Sequence, residues 1–157
     1  MKLIMLCGQG ISGKSTFAAQ FQQMVNGKIC VVRMDDVVKD VGQFDEPEYI
    51  KRVQQSLNSD FDYVLMDLAQ DSRHYRRSIL DQLNFQGEAI DFVTYSMRPS
   101  LDEIFRRWTL RGKELTDEFV QHVTQVYNHF EYPTEEEFKK YNFNSVHNYV
   151  LGSNLLG

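Results

Sequence analysis

The sequence predicts an α/β fold, a parallel sheet with helices on both faces, and three observations carry that reading. Short apolar runs alternate with stretches of helical periodicity along the chain. The first run passes directly into a glycine-rich turn and then an amphipathic stretch, the order of a strand feeding a crossover helix. Acidic residues follow the second and third runs, Asp35 and Asp36 after one and Asp67 after the other. Open parallel sheets bind ligands just there, outside the carboxyl ends of their strands.

Taken in order, Lys2 to Cys7 reads as a buried strand. Phe17, Phe21 and Met24 recur at helical spacing, which predicts a helix from Lys14 to Asn26 with Gly27 as its stop. Lys28 to Arg33 is the second strand. Pro47 suits a helix first turn, and Ile50, Val53 and Leu57 then form one stripe. Asp62 to Asp67 is the third strand, followed by a helix carrying Tyr75, Ile79 and Leu83. Ala89 to Ser96 is the fourth. Ser100 to Glu103 is a capping box that opens a helix containing Ile104, Phe105 and Trp108, and Gly112 breaks it. Thr116 caps the next helix, whose core stripe is Phe119, Val123, Tyr127 and Phe130, ending before Pro133. Thr134 to Glu137 is a second capping box, and Asn148 to Leu151 is a last strand.

The turn between the first strand and first helix is Gly8-Gln9-Gly10-Ile11-Ser12-Gly13-Lys14-Ser15, with Thr16 next. It fits G-x-x-x-x-G-K-[ST], the phosphate-binding P-loop. A chance match in a chain this long has odds on the order of one in two hundred, so residues 8–16 are read as a nucleoside triphosphate site. Glycines let the backbone wrap the phosphates so that N–H groups and the positive end of the helix face the anion. Lys14 then reaches the β- and γ-phosphates and the Ser15 hydroxyl ligates Mg²⁺.

With 157 residues, one domain over the whole chain is expected. No apolar stretch approaches membrane-spanning length, and the expectation is a soluble cytoplasmic protein. Cys7 and Cys30 sit in apolar runs outside any C-x-x-C pattern and read as reduced structural thiols. His74, His122, His129 and His147 lack metal-ligand spacing, which leaves nucleotide-borne Mg²⁺ as the expected metal. A net charge of −5 argues against a broad nucleic-acid surface but leaves room for a local basic groove. Two clusters could supply one: Arg73, Arg76 and Arg77, and Arg106, Arg107, Arg111 and Lys113. Solvated helix faces explain either cluster, and for the first that reading is the favoured one.

Asp67 closes Tyr63-Val64-Leu65-Met66 and is placed to hold Mg²⁺ beside the P-loop, with a plain acidic strand end as the competing reading. Asp35 discriminates more sharply. An alcohol acceptor gains from a carboxylate that takes its proton as the phosphorus–oxygen bond forms, whereas a phosphate acceptor needs no base. An Asp facing the P-loop from the second strand therefore points to a hydroxyl acceptor, and Asp36 is assigned a turn or cap contact. Arg107 and Arg111 share a helix face ahead of Gly112. A lid carrying them can close over the triphosphate, Arg107 binding it and Arg111 neutralising charge on the transferred group.

The first strand and its GQGISGKST loop, Arg33-Met34-Asp35-Asp36, Val64-Leu65-Met66-Asp67, the segment Arg106 to Gly112 and Val126 to Pro133 together resemble the P-loop kinase group that contains the bacteriophage 5′-hydroxyl polynucleotide kinase domain. The resemblance runs from Lys2 to Lys139. It implies a three-layer P-loop NTPase fold with strand order 2-3-1-4-5, transfer of the γ-phosphate of ATP to a hydroxyl, Asp35 as general base and Arg111 as lid arginine. A polynucleotide 5′-hydroxyl, the 5′ end of a single-stranded nucleic acid, is the leading acceptor it implies. Those kinases carry an Arg three residues after the base to grip the acceptor's phosphate, and here that position is Val38. Phosphate contacts would then have to come from arginines 73, 76, 77, 106 and 107. The alternatives are a kinase for a nucleoside, sugar or other small alcohol, and a non-catalytic nucleotide-binding switch.

Overall fold

A computed structural model of the chain describes residues 1–85 and 89–151. Its centre is a five-stranded, wholly parallel sheet of order β2-β3-β1-β4-β5, with β1 at Lys2–Cys7, β2 at Ile29–Arg33, β3 at Tyr63–Asp67, β4 at Asp91–Met97 and β5 at Ser145–Leu151. The order agrees with the expectation. Between the strands run α1 (Lys14–Met24), α2 (Met34–Val41), α3 (Glu46–Leu57), α4 (Arg73–Asp81), α5 (Leu101–Leu110), α6 (Asp117–Asn128) and α7 (Glu135–Phe138), the last continued by a 3₁₀ turn at Lys139–Tyr141.

The central strands are apolar on both sides because both sides are covered, as parallel sheets require. Leu3, Met5, Cys7, Val64, Met66 and Phe92 pack with Val37, Tyr49, Val53, Ile79 and Phe138 from α2, α3, α4 and α7. On the opposite face Ile4, Leu6, Leu65 and Val93 meet Ala18, Phe17 and Phe21 of α1. The alternation along β1 thus divides one strand between two cores. Register aligns the strand ends: Arg33 pairs with Asp67, Asp67 with Leu6, and Cys7 with Ser96.

Several boundaries differ from expectation. The first helix ends at Met24, where Val25 turns extended, and Gly27 is not its stop. Gly27 instead lies against Asp62, where a Cβ would come within 2.8 Å of the carboxylate that accepts from Lys28 N–H. β2 runs straight into α2, a helix that the sequence did not signal, with Arg33 as N-cap and no side-chain cap; Asp36 therefore makes no capping contact. Ser72, Ser100 and Thr116 do cap their helices, accepting from Tyr75, Glu103 and Phe119 N–H. The second expected box does not form: Thr134 makes no side-chain cap, because Glu137 is drawn inward to Arg76. β4 runs to Met97 and β5 starts earlier than expected, at Ser145.

Cys7 is fully buried and Cys30 half-buried, both free thiols; burial pushes the Cys7 thiol up to about 12, so it is inert rather than nucleophilic. Among the described residues no helix is long and apolar enough to cross a membrane.

Candidate functional site

The loop after β1 turns by placing two residues in the left-handed region: Gly13, φ 99, which caps α1, and Ile11, φ 66. Glycine adopts that conformation freely, whereas a β-branched residue does so at a cost of about 1–3 kcal/mol. Such strain persists only where the surroundings enforce it, and here they do. Arg107 of α5 is 14% exposed and points one guanidinium N–H at the Ile11 carbonyl, 3.5 Å away. At the start of the loop Gly8 leaves no room for a Cβ, which would sit 2.6 Å from Ser12 Oγ and 2.7 Å from the Met97 carbonyl. Gln9 is buried and donates to the Val123 carbonyl at 3.5 Å, tying the loop to α6.

Between this loop and the carboxyl ends of β2 and β3 lies a cleft of about 340 Å³. Gly10, Lys14, Ser15 and Thr16 line it together with Asp35, Asp67 and Arg111, the last at the end of α5. The fold therefore brings together the glycine-rich loop, Asp35, Asp67 and Arg111, residues up to 101 apart in sequence. Lys14 Nζ donates to the Gln9 carbonyl at 2.7 Å. Burial lowers its pKa, opposed by the charges of Asp67, Cys7, Asp35 and Asp71. Ser15 Oγ donates to Asp67 Oδ2 at 2.9 Å.

Two features of the loop and its surroundings fit a bound polyphosphate with its cation. Ser12 Oγ and Arg107 Nη2 are buried at the loop without a hydrogen-bond partner, and buried donors of this kind carry a desolvation cost until they are satisfied. Ser15 and Asp67 also present hard oxygen atoms side by side, the donor type that Mg²⁺ takes. Arg107 Nε donates to Glu103 at 3.0 Å, and Arg106 binds the same carboxylate at 2.6 Å. These arginines, Arg106 first, hold Glu103 down at about 2. Trp108 stacks on Phe119, ring centroids 4.2 Å apart, and donates to the Glu114 carbonyl, which fastens α5 to α6 on either side of Arg111 and Gly112.

Not every expected residue reaches this site. Arg76 is wholly buried, bound to Glu137 at 2.8 and 3.3 Å and to the carbonyls of Gln70 and Glu131 at 3.2 and 2.8 Å. The solvated-face reading of its cluster is thus wrong for Arg76, and so is its use as a phosphate contact. Arg73 shares Glu137, at 3.3 Å. Sequence reasoning missed this network, which braces the residues after Asp67 from below. Its signal was present, since Arg76 follows Ser72 by four on a helix whose Ile79 and Leu80 are core. Arg33, also unassigned, lies 3.9 Å from Asp67.

Burial raises the pKa of Asp67, and the Ser15 hydrogen bond, Lys14 and Arg33 offset that only in part. A carboxyl group whose pKa rises on folding gives stability that is full below its unfolded value and is lost as pH climbs through its folded value. At neutral pH the metal-free protein therefore carries the cost of a buried ion. Asp67→Asn is expected to melt at least as high as the parent at pH 7, with the advantage shrinking toward pH 4, while losing the extra stabilisation that Mg²⁺–ATP gives. A lower melting temperature for the variant at pH 7 would show the charge to be net favourable.

The model of the family described as "Chromatin associated protein KTI12" matches residues 1–137. No curated protein matches the sequence. Among solved structures, the tunicamycin resistance protein of Deinococcus radiodurans superposes with a TM-score of 0.61 at 13% identity, covering 99% of this chain and 87% of that one. A sugar kinase from Janibacter sp. HTCC2649 gives 0.57 at 13% identity over 97% and 85% of the two chains. A gluconokinase from Sinorhizobium meliloti 1021 gives 0.52 at 15% identity over 94% and 81%. At such identities the likeness is one of fold.

Proposed function

The chain belongs to the KTI12 family, and from the cleft that this member presents we propose that it is a phosphotransferase moving the γ-phosphate of ATP to a hydroxyl acceptor. The observation that carries the reading is the meeting of Asp35 with Lys14, Ser15, Asp67 and Arg111 around one cleft. A nucleotide switch needs the loop, the lysine and a metal site, but it does not need a further carboxylate on the acceptor side. The likeness in fold to a sugar kinase and a gluconokinase supports the same reading.

In the proposed reaction the acceptor oxygen attacks the γ-phosphorus in line. Its bond to phosphorus forms as the bond from phosphorus to the β,γ-bridging oxygen breaks, and the hydroxyl proton passes to the Asp35 carboxylate. ADP leaves with the bridging electrons. Lys14 and the loop N–H groups hold the β- and γ-phosphates, and Arg111 neutralises charge on the equatorial oxygens. Ser15 and Asp67 would hold Mg²⁺, which would supply electrostatic stabilisation of the phosphate oxygens. The acceptor named first by resemblance, a polynucleotide 5′-hydroxyl, competes here with a small alcohol.

Lys14→Ala tests the nucleotide site. Burial already disfavours the charged lysine, so its removal is expected to leave the melting temperature close to that of the parent. Losing one preorganised donor of this kind costs about 10²- to 10³-fold in turnover. ATP affinity by calorimetry and label transfer from [γ-³²P]ATP are both expected to collapse in the folded variant. Parental binding and turnover in folded Lys14→Ala would overturn the assignment.

A further inference from the structure

On the phosphotransferase reading, on which this rests, we infer that the acceptor is a non-anionic alcohol with an apolar body, with no phosphate near the reacting hydroxyl. Met34 and Asp35 line the cleft, and the segment that carries them, residues 33–48, holds six carboxylates, at 35, 36, 40, 45, 46 and 48, against two cations, Arg33 and Lys39. Arg33 lies 3.9 Å from the Asp67 carboxylate. Arg52, from α3, binds Asp40 at 3.0 Å and Glu48 at 3.1 Å. Lys39 is left, exposed in the last turn of α2. Lys14 and Arg111, the cations that line the cleft itself, are the two assigned above to the triphosphate. An acceptor phosphate beside the hydroxyl would therefore enter a field of its own sign, and such fields discriminate.

The apolar residues of the segment agree with its charge. Val38 stands one helical turn after Asp35, on the same face of α2 by spacing, and is 37% exposed. Farther along the segment Val41 and Phe44 are exposed as well. Met34, Leu68 and Ala69 line the cleft around the two aspartates. A ligand that sets an apolar surface on these residues and its hydroxyl on Asp35 satisfies both the contacts and the field. A nucleic-acid end brings a phosphate close to the reacting hydroxyl and meets neither condition. Of the five arginines that could have compensated, Arg76 is buried in its ion pair, Arg73, Arg106 and Arg107 are bound to glutamates, and Arg77 lines a separate cleft with Arg73 and His74.

The test offers the protein and labelled ATP a set of unphosphorylated nucleosides and alcohols, each matched with a phosphate-bearing counterpart. Thymidine, thymidine 3′-monophosphate and a 5′-hydroxyl oligothymidylate each present a free 5′-hydroxyl, on which label is scored, and the second and third carry a phosphate on the 3′ oxygen that is a hydroxyl in thymidine. Transfer is expected on unphosphorylated members, about tenfold or more above their counterparts at low salt, the gap narrowing as salt screens the field. Val38→Lys is expected to narrow that gap by raising transfer to the phosphate-bearing member. Equal or better label on thymidine 3′-monophosphate or the oligonucleotide, or a ratio that Val38→Lys leaves unmoved, overturns the inference and leaves the phosphotransferase standing. Label on nothing, with Mg²⁺–ATP bound by calorimetry, overturns the phosphotransferase reading and this inference with it.

Discussion

Asp35→Asn is expected to lower phosphate transfer by about 10²- to 10⁴-fold while leaving ATP affinity within a few-fold of the parent, the loss typical of a positioned general base. The amide keeps the shape of the side chain at the start of α2 and cannot take the acceptor's proton. Asp35 lines the cleft from α2, outside the P-loop, so the loop N–H groups and Lys14 stay in place. Removing a negative charge from a cleft that receives a triphosphate also acts, if at all, toward tighter binding. The measurement is single-turnover transfer to whichever acceptor takes label, beside calorimetric titration with Mg²⁺–ATP. A variant with parental turnover removes Asp35 as the base and leaves the nucleotide site untouched; one that loses ATP affinity in step with turnover makes Asp35 part of the nucleotide site.

Glu137→Ala is expected to cost about 3–5 kcal/mol of stability, which is what removing one partner of a buried ion pair costs when the other charge is left uncompensated. Arg76 has no exposed surface, and both Glu137 oxygens bind it. Its two remaining partners are backbone carbonyls, of Gln70 and Glu131, which satisfy donors without neutralising charge. Since small domains are stable by only about 5–15 kcal/mol, the variant loses a large part of its margin. The double variant Arg76→Met/Glu137→Leu removes both charges and is expected to recover much of that loss, because apolar packing of similar volume replaces a buried pair at little cost. Chemical denaturation of the single and double variants decides between these outcomes. A single variant within about 0.5 kcal/mol of the parent, the range of ordinary surface substitutions, would mean that water or another group compensates Arg76.

The two predictions differ in how readable their residues were. Asp35 stood out because it follows an apolar run in a chain whose P-loop already fixed the sheet's ligand edge. Arg76 looked like its neighbours Arg73 and Arg77, since a local window cannot tell which arginine of three faces a core supplied by a segment 61 residues away. Glu137 misled for the same reason: Thr134 and Glu137 satisfy the letters of a capping box, and the buried arginine outbids the local bond. α2 was invisible because it has no N-cap side chain and no break from β2. Its Asp, Val and Lys sequence becomes a helix only with Val37 packed in the core.

By itself the sequence determined the parallel α/β class, the phosphate loop and the placing of Asp35 and Asp67 at the carboxyl edge of the sheet, because each is written in contiguous residues whose spacing is set by backbone geometry. Strand order came by resemblance, and the sheet agrees with it. Only the tertiary structure decided which charges are spent. It sank Arg76 into an ion pair, set Arg107 against the P-loop carbonyl, bound Arg73 and Arg106 to glutamates, and left an exposed valine one helical turn after Asp35. Charge compensation depends on distances between segments far apart in the chain, and those distances exist only once the sheet has brought the segments together.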